Sequence, residues 1–415
     1  MIDRERIITY LQWFILLALF AYDGFTYLPE EANFALLKSI YYVFIFIAFV
    51  FVMLLQTHRG HISYYPQGNI AHAIQIFVWL YLVRLSYDFM VSDVDQEIVT
   101  NPFAAIFLYT NAAIIPLYCF YFFRWELIDL RRLNTAVLLI FLAMGMVSIY
   151  YIFTGKALEY LGSDGRFMGN ASMDTIAFGH LGTSIVMMAI ALFYQQGIRW
   201  WHKLLSVWSI LVGLFISIAA GSRGALVALF VCFIAYLYMN GHKMKVLIGL
   251  PILAILFIAL LPTLNDVLSS FGNQALERLY ASIYEPDSMA DGVTSGRDVL
   301  YKKAWDSFTD SPLLGSSLFV DGEYVHNSVF ESFLGLGVFG GLLFVGLLVY
   351  TFFKAIQLGE QDKRYLFVAL LFIQYLLYSL FSRTLSMLPL FWLSVFLVVS
   401  LNSYHDKSIN HSTVL

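Results

Sequence analysis

A histidine and an asparagine stand together where a polar segment gives way to an apolar one. In DGEYVHNSVFESFLGLGVFGG (residues 321–341), His326 and Asn327 precede an apolar run, and Glu331 lies inside it. A helix that begins here would place the imidazole at its positive dipole end, which favours the neutral ring that a general base requires. A carboxylate inside a membrane segment marks a candidate functional residue or a charged partner. The alternative for His326 is a helix cap or a contact with lipid headgroups.

Four arginines lie in connections between apolar runs, and together they would suit an anionic ligand. Arg223 lies in the hairpin AAGSRGALVALF, where Ser222 and flanking glycines allow close backbone approach. Arg297 begins a predicted helix, whose free N–H groups favour an anion beside the phosphate-binding guanidinium. Arg166 lies in a Gly-rich segment and Arg383 in another short hairpin. The alternative for these arginines is contact with solvent or with headgroups.

Other ionisable residues lie inside apolar runs. Arg84 and Asp88 are spaced i,i+4, which favours a structural ion pair on one helix face. Asp174 and His180 lie near the outer end of another run, within reach of the predicted anion pocket.

Composition sets the fold class. The chain has 415 residues, of which 60% are hydrophobic and 13% charged, whereas soluble domains carry about 25% charged residues. About twelve runs are long and apolar enough to cross a bilayer as helices. The predicted fold class is therefore an all-α integral membrane protein. The runs lie near residues 8–22, 34–55, 70–91, 103–123, 135–153, 174–195, 203–220, 224–240, 245–262, 328–353, 365–382 and 384–402.

The distribution of basic residues predicts the orientation. If the N-terminus is cytoplasmic, both termini and the even-numbered connections are cytoplasmic and hold most of the lysines and arginines, as membrane proteins prefer. The first run is interpreted as a retained span, because it lacks a convincing cleavage site. Cys119 and Cys232 both lie inside predicted spans and are interpreted as apolar fillers.

One outer connection is too long to be a simple linker. Residues 1–262 would hold nine helices, residues 263–325 this outer loop, residues 326–402 three more helices and residues 403–415 a cytoplasmic tail. Within the loop, NQALERLYASIY and SGRDVLYKKAWDSF show helical periodicity, with Ser295 as a plausible N-cap of the second helix. SPLLGSS follows as a predicted turn.

In order and topology, these segments resemble the O-antigen ligase and O-antigen polymerase superfamily of bacterial envelopes. GSRGALVALF (221–230) looks like its Ser-Arg-Gly hairpin, and SGRDVLYKKAWDSFTDSPLLGSS (295–317) like its outer-loop segment. HNSVFESFLGLGVFGG (326–341) looks like its His-Asn-x-x-x-Glu block. RFMGNASMDTIAF (166–178) corresponds to an upstream Arg-x-x-Gly region, although the family usually carries an Asn-Pro-Asn-like segment there.

The resemblance implies a multi-pass glycosyltransferase of the bacterial inner membrane with its site facing the periplasm. The donor would be a glycan on a polyprenyl diphosphate, and the acceptor a sugar of the lipid A core or of another lipid-linked glycan. Arg223, Arg297 and Arg166 would hold the diphosphate, and His326 would act on the acceptor hydroxyl. The supporting residues would be Asn327, Glu331 and Ser222. The reaction is expected to invert the anomeric centre without a metal or cofactor, and a chain-length regulator is a further partner left open.

Two other functions stay open at this point. A transporter or flippase of a polar or lipid-linked solute would place its ionisable residues at the bilayer midplane, whereas those of this chain collect at the outer rim. A non-catalytic envelope assembly or sensor protein would not need His326 or the arginines for transfer. Asp93-Val94-Asp95 is the nearest approach to a divalent-cation motif, and two carboxylates are a weak signal. No nucleic-acid motif is present.

Overall fold

The computed structural model describes ten parts of the chain, and helices dominate them. These parts are residues 4–22, 24, 34–57, 69–91, 102–155, 167–170, 173–195, 197–270, 277–284 and 297–412.

The first half of the described chain forms eight α-helices, two of which are joined by a π-turn. They are α1 (Arg4–Phe20), α2 (Phe34–Thr57), α3 (Asn69–Met90), α4 (Pro102–Tyr109), the π-turn Thr110–Ile114, α5 (Ile115–Tyr121), a 3₁₀ turn (Trp125–Leu127), α6 (Leu130–Phe153), α7 (Thr175–Phe193) and α8 (Trp200–Ala219).

The second half adds further helices and one small β-hairpin. They are α9 (Arg223–Met239), α10 (Lys243–Ser270), α11 (Glu277–Tyr284), α12 (Arg297–Asp310), β1 (Phe319–Val320), β2 (Glu323–Tyr324), α13 (Ser328–Gln361), a 3₁₀ turn (Lys363–Tyr365), α14 (Leu366–Phe381), a 3₁₀ turn (Leu385–Met387) and α15 (Pro389–Ser412).

Each of the twelve predicted apolar runs coincides with helical structure, the fourth being α4, the π-turn and α5 together. Among the residues described, six helical segments are long and apolar enough to cross a membrane, by length and composition. The number of twelve spans therefore stays a prediction. The six are Asn69–Met90, Leu130–Phe153, Thr175–Phe193, Trp200–Ala219, Ser328–Gln361 and Lys363–Phe381.

The most buried of these six segments are the ones that contain α7 and α14. The helix α7 packs against α6, α8, α9 and α14, and α14 packs against α9, α13 and α15. By contrast, α2 and α8 expose large apolar side chains, including Phe44, Phe51, Trp200, Leu204 and Leu211. Exposed apolar surface on this scale is typical of helices that face lipid.

The predicted turn SPLLGSS docks into a break in α13. Gly337 has a φ of 65°, so the helix is interrupted there. The Val338 N–H donates to Pro312 O and the Ser316 N–H donates to Leu334 O, both at 2.8 Å. A Cβ on Gly337 would lie 2.2 Å from Leu313 O. The turn can therefore contact the helix backbone directly only because residue 337 has no side chain.

The predicted Arg84–Asp88 ion pair is present at 2.8 Å and holds the same loop. Asp88 accepts a hydrogen bond of 2.7 Å from the Leu318 N–H, and the Arg84 guanidinium donates to Ser316 O. The ion pair therefore has a structural role, because it ties α3 to the segment that leads towards His326.

Replacement of Gly337 by alanine is expected to lower the melting temperature of the detergent-solubilised protein by several degrees. The new Cβ meets backbone that has no flexible end to move, and the positive φ disfavours any side chain. Gly346→Ala, in the same helix, is the matched control, since nothing lies within 4 Å of its added Cβ. Equal melting temperatures for the two variants would contradict the docking described above.

Candidate functional site

His326 lies between the β-hairpin and the first turn of α13. Asn327 is the N-cap of this helix, and its Oδ1 accepts 3.0 Å hydrogen bonds from the Val329 and Phe330 N–H groups. Its Nδ2 donates to Leu380 O, near the end of α14. The predicted helix start is thus confirmed, and the imidazole lies at the positive end of α13. We define this end of the bundle, where α9 and α13 begin and α14 ends, as the His326 end.

The hairpin before His326 was not predicted from the sequence. Phe319 pairs with Tyr324 and Val320 with Glu323, across a turn whose residues Asp321 and Gly322 both have positive φ. Asp-Gly between apolar residues is a strong signal for such a two-residue turn. The hairpin places the Tyr324 ring 4.2 Å from the His326 ring.

The environment of His326 keeps its imidazole neutral. Burial, followed by the positive charges of Arg297 and Arg383, lowers the pKa of His326 to about 4. The ring is therefore neutral at pH 7, as a general base must be. Its Nδ1 is buried with no hydrogen-bond partner among the described residues. The backbone of His326 has a φ of 56°, a conformation that is rare outside glycine and that often marks functional sites.

Arg297 is the first residue of α12, as predicted, and it contacts the end of α14. Its Nη1 donates to the carbonyl oxygen of Phe381, the last residue of that helix. A cation stabilises a helix C-terminus, so this contact has a structural component. A guanidinium has five N–H donors, and its charge still acts on His326.

Arg383 is a member of the same cluster, and the sequence had left both an anion ligand and a headgroup contact open for it. Its Nη2 forms an ion pair with Asp174, and its Nε donates to the Tyr378 hydroxyl at 3.3 Å. Asp174 is the N-cap of α7, where it accepts from the Ala177 N–H at 2.7 Å. This pair joins segments 209 residues apart, so no local pattern could have predicted it.

Glu331 lies beneath this cluster and is fully buried. It accepts hydrogen bonds from the Tyr81 hydroxyl, from Thr384 Oγ1 at 2.6 Å and from the Leu385 N–H at 3.2 Å. The carboxylate therefore fixes the segment that carries Arg383 against α3 and α13. The predicted supporting role of Glu331 stays a prediction, and these hydrogen bonds would let it act on the imidazole only through Arg383.

Arg223 also lies at the His326 end, but its side chain lines a cavity whose lining does not include His326. Ser222 is the N-cap of α9, accepting from the Ala225 N–H at 3.5 Å. The neighbouring Gly224 faces α14, since a Cβ added to it would lie 3.9 Å from the Cβ of Phe381. Arg223 lines a cavity of about 560 Å³ between α7, α8, α9 and α10, whose other lining residues are apolar.

Three further expectations concern residues outside the described part of the chain. Arg166, the fourth predicted anion ligand, lies outside the described residues, as do Ser295 and the pair Asp93 and Asp95. Within the described ranges, no group of three or more His, Cys, Asp and Glu side chains is arranged to hold a metal ion.

Comparison with protein families gives a match inside the chain. Residues 205–345 match the family model described as O-antigen ligase. The resemblance to the O-antigen ligase and polymerase superfamily is confirmed. The match runs from α8 into α13 and includes Arg223, Arg297 and His326. Asp174 and Arg383 lie outside it. No curated protein matches the chain. With the apolar helices, the match supports a membrane glycosyltransferase of this general type.

Proposed function

We propose that this protein transfers a glycan from a polyprenyl-diphosphate carrier to a hydroxyl of an acceptor sugar at the His326 end. The observation that carries the proposal is the neutral imidazole at the start of α13, acted on by two arginine charges, inside the segment that matches the family. Such a group can accept a proton beside cations that bind a phosphate leaving group.

The proposed reaction needs a proton acceptor for the acceptor hydroxyl and cations for the diphosphate leaving group. The acceptor oxygen attacks the anomeric carbon, and the bond from that carbon to the diphosphate oxygen breaks with inversion. The acceptor proton passes to His326, and the bonding electrons leave with the diphosphate. Arg297, Arg223 and Arg166 stabilise the negative charge that grows on this leaving group.

The cavity beside Arg223 suits the carrier. It is apolar along α7, α8, α9 and α10 and has one cation at its end, which matches an isoprenoid chain with a charged diphosphate head. The end of α14 at Phe381 contacts Arg297 and lies beside Gly224, the neighbour of Arg223, and we therefore place one diphosphate near both arginines. Ser222 and Asn327 act as caps that fix the two helix starts beside the ligand.

The positions of the basic residues support the proposed orientation of the protein in the membrane. Arg131, Arg199, Lys363 and Arg364 lie at the end of the bundle opposite His326. Positive residues favour the cytoplasmic face, so the His326 end would face the periplasm from the bacterial inner membrane. Residues 263–325 would then form a periplasmic loop, and the product formed would distinguish a ligase from a polymerase.

Replacement of Arg383 by glutamine is expected to shift the acid limb of kcat/KM to higher pH. The variant loses one of two cations that depress the pKa of His326 and leaves the Asp174 carboxylate without that partner, so both changes raise this pKa from about 4 towards its ordinary value. The ratio of kcat/KM at pH 5.5 to that at pH 7.5 should fall relative to wild type. Arg132→Gln, at an exposed position, is the control. An unshifted acid limb would show that His326 is not the titrating base.

The proposed function is tested by the product. A host that makes a lipid-linked glycan is given wild type, Arg223→Ala, Arg223→Lys or the control Arg132→Ala, at equal amounts in the membrane. Wild type and control should join glycan to the lipid A core or build a ladder of repeats. Arg223→Ala should reduce the product at least tenfold while the lipid-linked donor accumulates, and Arg223→Lys should retain part of it.

Two results would count against this assignment. Equal amounts of product from Arg223→Ala and wild type would show that the apolar cavity is not the donor site. A wild-type protein that joins no glycan to any acceptor, in a host that supplies both, would overturn the transferase itself.

A further inference from the structure

A second cavity lies on another side of α7, and the proposed reaction does not yet use it. Its volume is about 250 Å³, and its lining includes His180, Tyr375, Tyr378, Arg383 and Tyr22. The residues that α7 gives to it are Ala177, His180 and Leu181. The residues that α7 gives to the Arg223 cavity are Val186, Met187 and Ile190. At about 100° per residue the mean directions of the two sets differ by roughly 130° around the helix axis, although His180 and Met187, two turns apart, lie close together in direction.

His180 is the feature of this cavity that calls for a ligand. Its side chain is 2% exposed, and both ring nitrogens lack a hydrogen-bond partner among the described residues. A face of the ring stacks on Tyr378, with centroids 4.1 Å apart and planes inclined by 18°. The ring is therefore fixed in direction, while its donor and acceptor are left for another molecule, since buried polar groups are normally paired.

The lining has the chemistry and size of a sugar site. Aromatic side chains offer apolar surface to the C–H groups of a sugar ring, while the imidazole and a guanidinium can bind its hydroxyls. At ~30 Å³ per water molecule the volume corresponds to about eight waters, which is also the space of one sugar ring. An extended glycan would have to leave through the rim, where Arg383 pairs with Asp174.

We propose that this cavity binds one sugar ring of the acceptor, with His180 and Arg383 bonded to its hydroxyls. The inference rests on the proposed function and names the substrate part that the cavity takes. Arg383 connects the cavity with the catalytic cluster, because it lines the cavity and its charge also acts on His326. The donor would enter from the Arg223 side of α7 and the acceptor from the other side.

The test uses two variants of the full chain in proteoliposomes. His180→Phe keeps the ring and its stacking but removes both nitrogens, and Ala177→Phe fills the cavity. His202→Phe makes the same change beside Trp201 at the opposite end of the bundle and serves as the control. Transfer is measured with the lipid-linked donor and with acceptors that carry no diphosphate, namely core oligosaccharide released from lipid A and glycan repeat released from its carrier. Binding of each oligosaccharide without donor is measured separately.

The expected result is an acceptor KM at least tenfold higher in both variants, with donor KM and kcat close to wild type and weaker oligosaccharide binding. A rise in donor KM alone would overturn the assignment to the acceptor. Unchanged constants and unchanged binding would overturn the sugar site, and an inactive His326→Ala variant in the same assay would show that the proposed function still holds. A fall in kcat and melting temperature without a KM change would show that His180 is structural.

Discussion

Replacement of His326 by alanine is expected to reduce glycan transfer by about a hundredfold to ten-thousandfold, the usual contribution of a general base. The acceptor hydroxyl would then have to lose its proton to water in a site built around arginine charges. Among the described residues no other histidine belongs to this cluster, since His180 lies inside the second cavity with its ring fixed against Tyr378.

The measurement is the transfer rate of purified protein in proteoliposomes with saturating donor and acceptor. His202→Ala is the matched control, because it removes an imidazole at the start of α8, far from the cluster. The melting temperature of His326→Ala should stay near that of wild type, since the N-cap bonds of α13 belong to Asn327. A folded His326→Ala protein that transfers glycan at the wild-type rate would show that the histidine is only part of a helix start.

The expected loss should fall on kcat more than on the KM of the donor. In the proposed mechanism His326 touches the acceptor hydroxyl, and the diphosphate is held by arginines. A variant that loses a transition-state interaction lowers kcat and kcat/KM together. If the donor KM rose instead, His326 would belong to the diphosphate site.

Much of the fold was predictable because its signals are local. Apolar runs specify the helices, and the polar-to-apolar boundary at Asn327 specifies the start of α13. The turn SPLLGSS was also predictable from its residue types. Its docking site was not, because that depends on how closely Gly337 lets two backbones approach.

The site was predictable only in part, because some of its features are local in the sequence and others join segments that are far apart in the sequence. His326 and Arg297 are marked by helix starts, which a sequence displays. The pairing of Arg383 with Asp174 and the contact of Arg297 with Phe381 depend on the packing of α7, α12 and α14. An arginine in a short hairpin is the same local pattern whether it faces headgroups or a buried site.

Replacement of Glu331 by alanine is expected to destabilise the protein by about 3–5 kcal/mol and to abolish transfer. The substitution removes the shared acceptor of the Tyr81 hydroxyl, the Thr384 hydroxyl and the Leu385 N–H. Each buried donor left without a partner costs about 1–3 kcal/mol, with partial relief from relaxation. The segment that carries Arg383 would also lose its link to α3 and α13.

Glu331→Gln and Glu360→Ala separate the possible causes of this loss. The amide keeps one oxygen for the hydroxyl donors but turns an N–H group towards the Leu385 N–H, so an intermediate melting temperature is expected. Glu360→Ala makes the same deletion near the exposed end of α13 and should change neither stability nor transfer. A folded Glu331→Gln protein with lowered kcat and an altered acid limb would show that the carboxylate positions Arg383 against His326. If the Glu331→Ala protein were as stable and as active as the Glu360→Ala protein, both the structural and the positioning role of Glu331 would be contradicted.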